Sequence, residues 1–210
     1  MTWARGIAAV CVVLVTVFVL YVPSAHPPAY FVEQLRFEHN STVAFWGQDH
    51  AMRILARMLA LRSHVKDASP VAQPVERVEA GSPVNAALTS QVVQVTTRLY
   101  SNEYFNAVEA LLVLASYRYA ELVEWLGALA ILIPVIWFDA LVRRIVKSKE
   151  FLHHNPEVYG LHLCFLILLL GATIIAFVLP AALPPWTWAL MPIGFAFFSG
   201  FAIANFHRRG

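Results

Sequence analysis

The residues best suited to metal chemistry are the eight histidines of this 210-residue chain. Four of them fall in one polar stretch, at His26, His39, His50 and His64. A zinc site needs three or four converging ligands, and these spacings match no compact ligand motif. The sequence therefore predicts no metal site and no bound cofactor.

Side chains suited to covalent or acid–base catalysis are also scarce. The chain has no G-x-S-x-G nucleophile motif and no glycine-rich phosphate loop. Cys11 and Cys164 are single residues in apolar stretches, where they fit helix packing better than thiol exchange. Asp139 precedes Arg143 by four residues, a spacing that predicts an ion pair near a helix end. We predict no catalytic residues and no enzyme activity.

Much of the chain consists of long apolar stretches that are predicted to form helices. The chain is 59% hydrophobic and 13% charged, with a mean hydropathy of +0.62. A helix needs about 20 apolar residues to cross a bilayer, and four stretches qualify, namely Gly6–Val22, Leu122–Val142, Gly160–Leu179 and Trp186–Asn205. The sequence predicts an all-α membrane protein with four transmembrane helices. Residues 1–23 are expected to form an uncleaved anchor, because Pro23 occupies the position where signal peptidase needs a small residue.

The distribution of Lys and Arg predicts the orientation of these spans. Seven of the fifteen basic residues lie in short segments, at Arg5, Arg143, Arg144, Lys147, Lys149, Arg208 and Arg209. Because short cytoplasmic segments are enriched in basic residues, we expect both termini inside. Residues 24–121 are then periplasmic, residues 122–142 form the second span, and residues 143–159 form a basic cytoplasmic loop. Residues 160–205 form a transmembrane hairpin, and residues 206–210 a basic cytoplasmic tail. The expected location is a bacterial inner membrane.

The periplasmic segment is expected to be helical, with a Pro-rich linker near residues 66–83. Ile54, Met58, Leu61 and Val65 lie on one face of an amphipathic pattern over residues 49–65. A second helix is predicted to run without interruption from about Tyr104 to about Ile145, with a mild kink at Pro134.

Two sets of residues are predicted to pack helices together. The first follows spacings of three and four along the second helix, as a heptad seam does: Phe105, Val108, Leu112, Ala115 and Tyr119. It would be buried against the chain's own 49–65 helix or against a neighbouring copy, which would make a homo-oligomer. The second set is Gly194 and Gly200, which lower the bulk of the last span.

The stretch "RRIVKSKEFLHHNPE" combines basic, apolar and histidine side chains in the predicted cytoplasmic loop. A topology signal alone would explain its charges. Its length and apolar residues favour a small docking surface for a partner protein or for anionic headgroups of the phospholipid bilayer. The predicted contact residues are Arg143, Arg144, Lys147, Lys149, Phe151, His153 and His154. No aromatic platform is interleaved with the charges, so direct nucleic-acid binding is not expected.

The C-terminal part resembles a family of membrane proteins from integrating conjugative elements and related conjugative plasmids, a domain of unknown function with TraJ-like members. In some elements the gene for such a protein lies next to the gene for the TraD coupling ATPase. The resemblance rests on "VRRIVKSKEFLHHNPE", the spans "LHLCFLILLLGATIIAFVLP" and "LPPWTWALMPIGFAFFSGFAIANF", and the basic end "HRR", and it covers residues 120–209. The chain departs from the family pattern at Lys147–Glu150, where the family has Gly-Arg-Glu-Ser.

The resemblance implies an inner-membrane accessory of conjugative DNA transfer. Such a protein would act by binding the TraD-type coupling protein or other membrane proteins of the type IV secretion apparatus. Two alternatives remain at this point. An envelope-protein assembly or insertion factor would have the same spans, whereas a small transporter subunit would need polar residues at mid-membrane, which these spans largely lack.

Overall fold

The computed structural model describes residues 2–68, 102–149 and 156–206. Over these ranges the chain is helical, in agreement with the predicted all-α class. The helices are α1 (Thr2–Ala25), α2 (Pro28–Trp46), α3 (Gln48–Ala68), α4 (Glu103–Ala128), α5 (Leu132–Lys149), α6 (Pro156–Val178) and α7 (Thr187–Asn205). The predicted linker at residues 66–83 lies for the most part outside the described residues.

Among the described residues, α1, α6 and α7 are each long and apolar enough to cross a membrane. The helices α4 and α5 meet the same criterion only as a pair, so the described chain has three candidate spans, or four if the pair is one span. This architecture is compatible with a multi-pass membrane protein.

The junction of α4 and α5 corrects the prediction of one continuous, mildly kinked helix. The two helices meet at an angle of 59° across a short break after Ala128. Pro134 lies in the first turn of α5, where its missing N–H removes no bond that the helix requires. In a continuous helix that N–H would bond the Ala130 carbonyl, which the proline ring would also crowd. The chain therefore breaks before Pro134 instead of bending at it.

The chain divides into two compact units. Unit 1 comprises Met1–Tyr21, Glu121–Leu179 and Leu183–Gly210, and unit 2 comprises Val22–Ala120 and Pro180–Ala182. Unit 1 thus contains most of α1, the end of α4, and all of α5, α6 and α7. Unit 2 contains α2, α3 and the larger part of α4.

Within unit 1, α6 and α7 pack as an antiparallel pair, as the short connection between them predicts. Phe165 stacks on Phe198 with ring centroids 5.1 Å apart, and at the opposite end of α6 Phe177 stacks on Trp188, also at 5.1 Å. Gly194 lies midway between these contacts, where a Cβ atom would come within 3.2 Å of the Leu169 side chain. A larger residue at Gly194 would therefore push α7 away from α6.

The helices α5 and α7 run side by side in the same direction. Trp137 Nε1 donates to Ser199 Oγ at 2.8 Å. At Gly200 an added Cβ atom would lie 3.2 Å from Ile136 Cγ2 and 3.7 Å from Ala140 Cβ. Both glycines that the sequence marked for close helix approach therefore lie at helix interfaces of unit 1.

Unit 2 is built around a small core shared by α2, α3 and α4. Ile54, Met58, Tyr117 and Ala120 are buried together, with Leu35, Leu55 and Val113 packed around them. The amphipathic pattern of residues 49–65 thus predicts the inner face of α3 correctly at Ile54 and Met58. Leu61 is half-buried, and the Val65 side chain lies outside the described part of the chain. Between α2 and α3 the chain turns at Gly47, whose φ of 84° favours glycine.

The face of α4 that enters this core differs from the predicted seam. The buried residues of α4 are Ala107, Leu111, Leu114, Tyr117, Arg118, Ala120 and Glu121. Of the predicted seam, Phe105 is 42% exposed, Leu112 62% and Tyr119 47%, whereas Val108 and Ala115 are half-buried. The prediction that this seam is buried within the chain is wrong. The helix carries apolar residues on two faces, and the face that packs also contains the charged Arg118, which obscured it in the sequence.

Candidate functional site: the basic end of α5

Four of the predicted contact residues lie in the last two turns of α5. Arg143, Arg144, Lys147 and Lys149 follow one another toward the end of the helix, where cations are favoured by the helix dipole and by unsatisfied carbonyl groups. The remaining predicted contacts, Phe151, His153 and His154, lie outside the described residues. The structure therefore places only the helical part of the predicted surface.

Arg143 forms an ion pair along α5. Its Nε atom lies 2.8 Å from Asp139 Oδ2, four residues earlier, and both side chains are more than half exposed. The predicted ion pair between Asp139 and Arg143 is confirmed. Exposed pairs of this kind contribute little to stability. Since the Arg143 side chain is more than half exposed, its guanidinium is accessible to a partner.

Arg144 and Lys147 contact the end of α7. The Arg144 guanidinium lies 5.0 Å from the centroid of the Phe206 ring, and Lys147 Nζ donates to Asn205 Oδ1 at 2.8 Å. Asn205 is buried and donates in turn to the Phe201 carbonyl at 2.9 Å. These contacts join the ends of α5 and α7, a structural role that the sequence alone did not suggest.

The basic end therefore has two kinds of positions. Arg144 and Lys147 are partly buried by contacts within the chain, whereas Arg143 and Lys149 are exposed. Because the parallel packing of α5 and α7 puts their C-terminal ends together, this end of unit 1 presents the exposed positive charges of Arg143 and Lys149. Such a surface can bind acidic groups of a protein or of lipid headgroups.

Sequence reasoning missed a second polar cluster, in unit 2. Glu38 and Arg118 are both fully buried, and Arg118 Nε lies 3.1 Å from each carboxylate oxygen of Glu38. Arg118 Nη2 also donates to Glu38 Oε1 at 2.5 Å and to the Ala181 carbonyl at 2.7 Å. The two residues are 80 positions apart, so no local spacing could have indicated the pair.

Two neighbouring hydrogen bonds extend the cluster around Arg118. Tyr30 Oη donates to the Pro180 carbonyl at 3.0 Å, and His39 Nδ1 lies 3.3 Å from Tyr117 Oη. The cluster ties α2 and α4 to residues 180–182. Because the Arg118 charge is neutralised by Glu38, the arrangement is suited to holding the backbone in place.

A groove of about 570 Å³ lies in unit 1 between α1 and α6. Its lining is almost wholly apolar and includes Trp3, Gly6, Leu14 and Ile175. At one side of it the two helices touch, where Cys11 Sγ lies against Gly171 and donates a weak bond to the Ile167 carbonyl at 3.9 Å. Cys11 thus serves helix packing, as the sequence predicts.

Within the ranges that the structure describes, no group of three or more His, Cys, Asp or Glu side chains could hold a metal ion.

Residues 48–207 match a family described as IncC plasmid conjugative DNA transfer protein DtrJ-like. The chain belongs to the DtrJ-like family. The match covers about three quarters of the 210 residues, including α3 to α7 and the basic end. It confirms the resemblance to conjugation proteins that the C-terminal sequence indicates, and it extends that resemblance toward the N-terminus. Comparison with curated proteins and with solved structures gave no significant match.

Proposed function

We propose that this chain is a non-enzymatic accessory of conjugative DNA transfer in the bacterial inner membrane, which binds the TraD-type coupling ATPase or another membrane component of the type IV secretion apparatus. The observation that carries the proposal is that a member of a conjugative DNA transfer family has four basic residues at the end of α5, of which Arg143 and Lys149 are exposed. A binding role needs a surface, and this cluster provides one.

In the proposed topology, the basic end of α5 lies in the cytoplasm. Arg143 and Lys149 belong to a short segment rich in basic residues, which favours that side of the membrane. Because α5 and α7 are parallel, α7 would end on that same side. Residues 24–121 would lie in the periplasm.

Arg143 and Lys149 are the residues proposed to contact the partner. Both are exposed, and neither holds α5 against α7. Arg144 and Lys147 would instead keep the surface in shape through Phe206 and Asn205. Exposed charges at the rim of an interface mainly set the rate and specificity of association.

A transfer assay in donor cells tests this proposal. One strain lacks the gene, and two others carry it with Lys149→Glu or with Arg36→Glu. Arg36→Glu is the control, because it reverses a charge at an exposed position of α2. Three basic residues remain beside Lys149, so insertion should be unchanged, and immunoblotting of membranes checks this. We expect Lys149→Glu to lower transfer about tenfold or more, a change of about 1.4 kcal/mol in effective binding, and Arg36→Glu to have little effect. Normal transfer in the deletion strain would refute the role in conjugation, and normal transfer with Lys149→Glu would refute the docking surface.

A further inference from the structure

Among the described residues, the seam of α4 is an exposed apolar surface that lies outside the core of unit 2. Phe105, Leu112 and Tyr119 repeat every seven residues along one side of the helix, and Val108 and Ala115 lie between them. This is the pattern by which one helix packs into another through knobs and holes. The core of unit 2 uses a different face of α4, so among the described residues the seam stays exposed at Phe105, Leu112 and Tyr119.

Lipid is a poor occupant for this seam. The part of α4 that carries it also carries Glu103, Glu109 and Arg118, and α4 meets the criterion for a membrane span only together with α5. Glu109 borders the seam and is more than half exposed. Large apolar side chains beside an accessible carboxylate indicate a surface that is covered by protein.

We infer that this seam is the contact between two copies of the chain. The charges at its border support self-association, because Glu109 is paired with Arg62 at 2.6 Å and the rim is therefore neutral. A rim with an excess of one charge would repel the same rim on an identical copy. Here Glu109 of one copy can also pair with Arg62 of the other copy.

Membrane anchoring compensates for the short length of the seam. From Phe105 to Tyr119 it covers two heptads, or roughly 21 Å at 1.5 Å per residue. Two heptads alone make a marginal dimer in free solution, but chains held in the same bilayer meet at a high effective concentration. All copies insert with the same orientation, so a two-fold axis normal to the membrane relates them, and Leu112 at the centre of the seam lies nearest that axis.

Cross-linking in membranes tests this contact. In a full-length chain with Cys11→Ala and Cys164→Ala, a cysteine is introduced by Leu112→Cys or, as the control, by Phe37→Cys on α2. Both positions are about 60% exposed, so neither change should disturb the core. With a short bis-maleimide we expect a covalent dimer of twice the 23.5 kDa chain mass from Leu112→Cys and little from Phe37→Cys.

A second change makes the test specific for the seam. Adding Tyr119→Glu to the Leu112→Cys chain should abolish the cross-link, because it places two like charges together on the contact while leaving the core intact. Equal dimer yields from the Leu112→Cys and Phe37→Cys chains would overturn the inference, as would a Leu112→Cys adduct that contains a different protein. Neither result depends on transfer activity, so this inference and the proposed function can fail separately.

Discussion

Glu38 and Arg118 show how single residues hold unit 2 together. Removing two charges from water is unfavourable, and the pair is stable only because its geometry compensates both charges. Arg118 uses Nε for both carboxylate oxygens and Nη2 for the Ala181 carbonyl as well. If one partner is removed, the other charge remains buried without compensation.

This asymmetry gives a quantitative prediction. Arg118→Met should lower the free energy of unfolding by about 3–5 kcal/mol, and the double change Glu38→Leu with Arg118→Met should recover most of that loss. Arg62→Met removes an exposed pair with Glu109 and should cost only about 0–1 kcal/mol. Thermal unfolding of the purified chain in detergent measures all three. Equal effects of Arg118→Met and Arg62→Met would contradict the structural role of the buried pair.

At the scale of helices, the contact between α1 and α6 depends on one glycine. A Cβ atom at Gly171 would clash with Cys11 Sγ but would lie 4.0 Å from Cys11 Cβ. The cysteine sulfur therefore occupies the space that a side chain on α6 would need. The two helices can approach closely only because one position has no side chain and the other has a small one.

Gly171→Ala should therefore destabilise the chain by about 1–3 kcal/mol, as overpacking typically does. Cys11→Ala removes the clashing sulfur and should restore stability when it is combined with Gly171→Ala. The control is Gly160→Ala in the same helix, where an added Cβ atom would meet nothing within 4 Å. Thermal unfolding in detergent compares these variants. A double variant no more stable than Gly171→Ala would show that the sulfur is not the obstacle.

The sequence predicts the position of the candidate spans better than it predicts which face of each helix is buried. Length and apolar composition are local properties, so α1, α6 and α7 could be located from them. The break before Pro134 and the inward face of α4 depend on tertiary packing. The helix α2 was missed because two of its buried positions are Glu38 and Thr42, which weaken the apolar pattern. Of the docking surface, the sequence predicted the basic residues but not that Arg144 and Lys147 contact α7.

At the scale of the whole molecule, the proposed docking function depends on which side of the membrane each segment occupies. The chain has four basic residues within seven positions at the end of α5. The statistical preference of such segments for the cytoplasm is strong for short loops and weak for long ones. The basic end therefore determines the predicted orientation.

Cysteine labelling in intact cells measures this orientation. Ser63 in α3 and Ser148 in α5 are both exposed, and each is replaced by cysteine in a chain without its native cysteines. A maleimide that crosses only the outer membrane should label Ser63→Cys in intact cells and Ser148→Cys only after the inner membrane is permeabilised. The reverse pattern would invert the predicted topology and remove the docking surface from the cytoplasm.

The most direct test of the central claim is photo-cross-linking from the basic end in donor cells that carry the native gene neighbours. A photoreactive amino acid replaces Lys149, and the same replacement at Arg36 serves as the control. We predict that irradiation yields an adduct of this chain with the TraD-type coupling ATPase, or with a membrane component of the secretion apparatus, from position 149 and not from position 36. Adducts from position 149 that contain only lipid, or that match those from position 36, would contradict the claim that this surface docks the conjugation machinery.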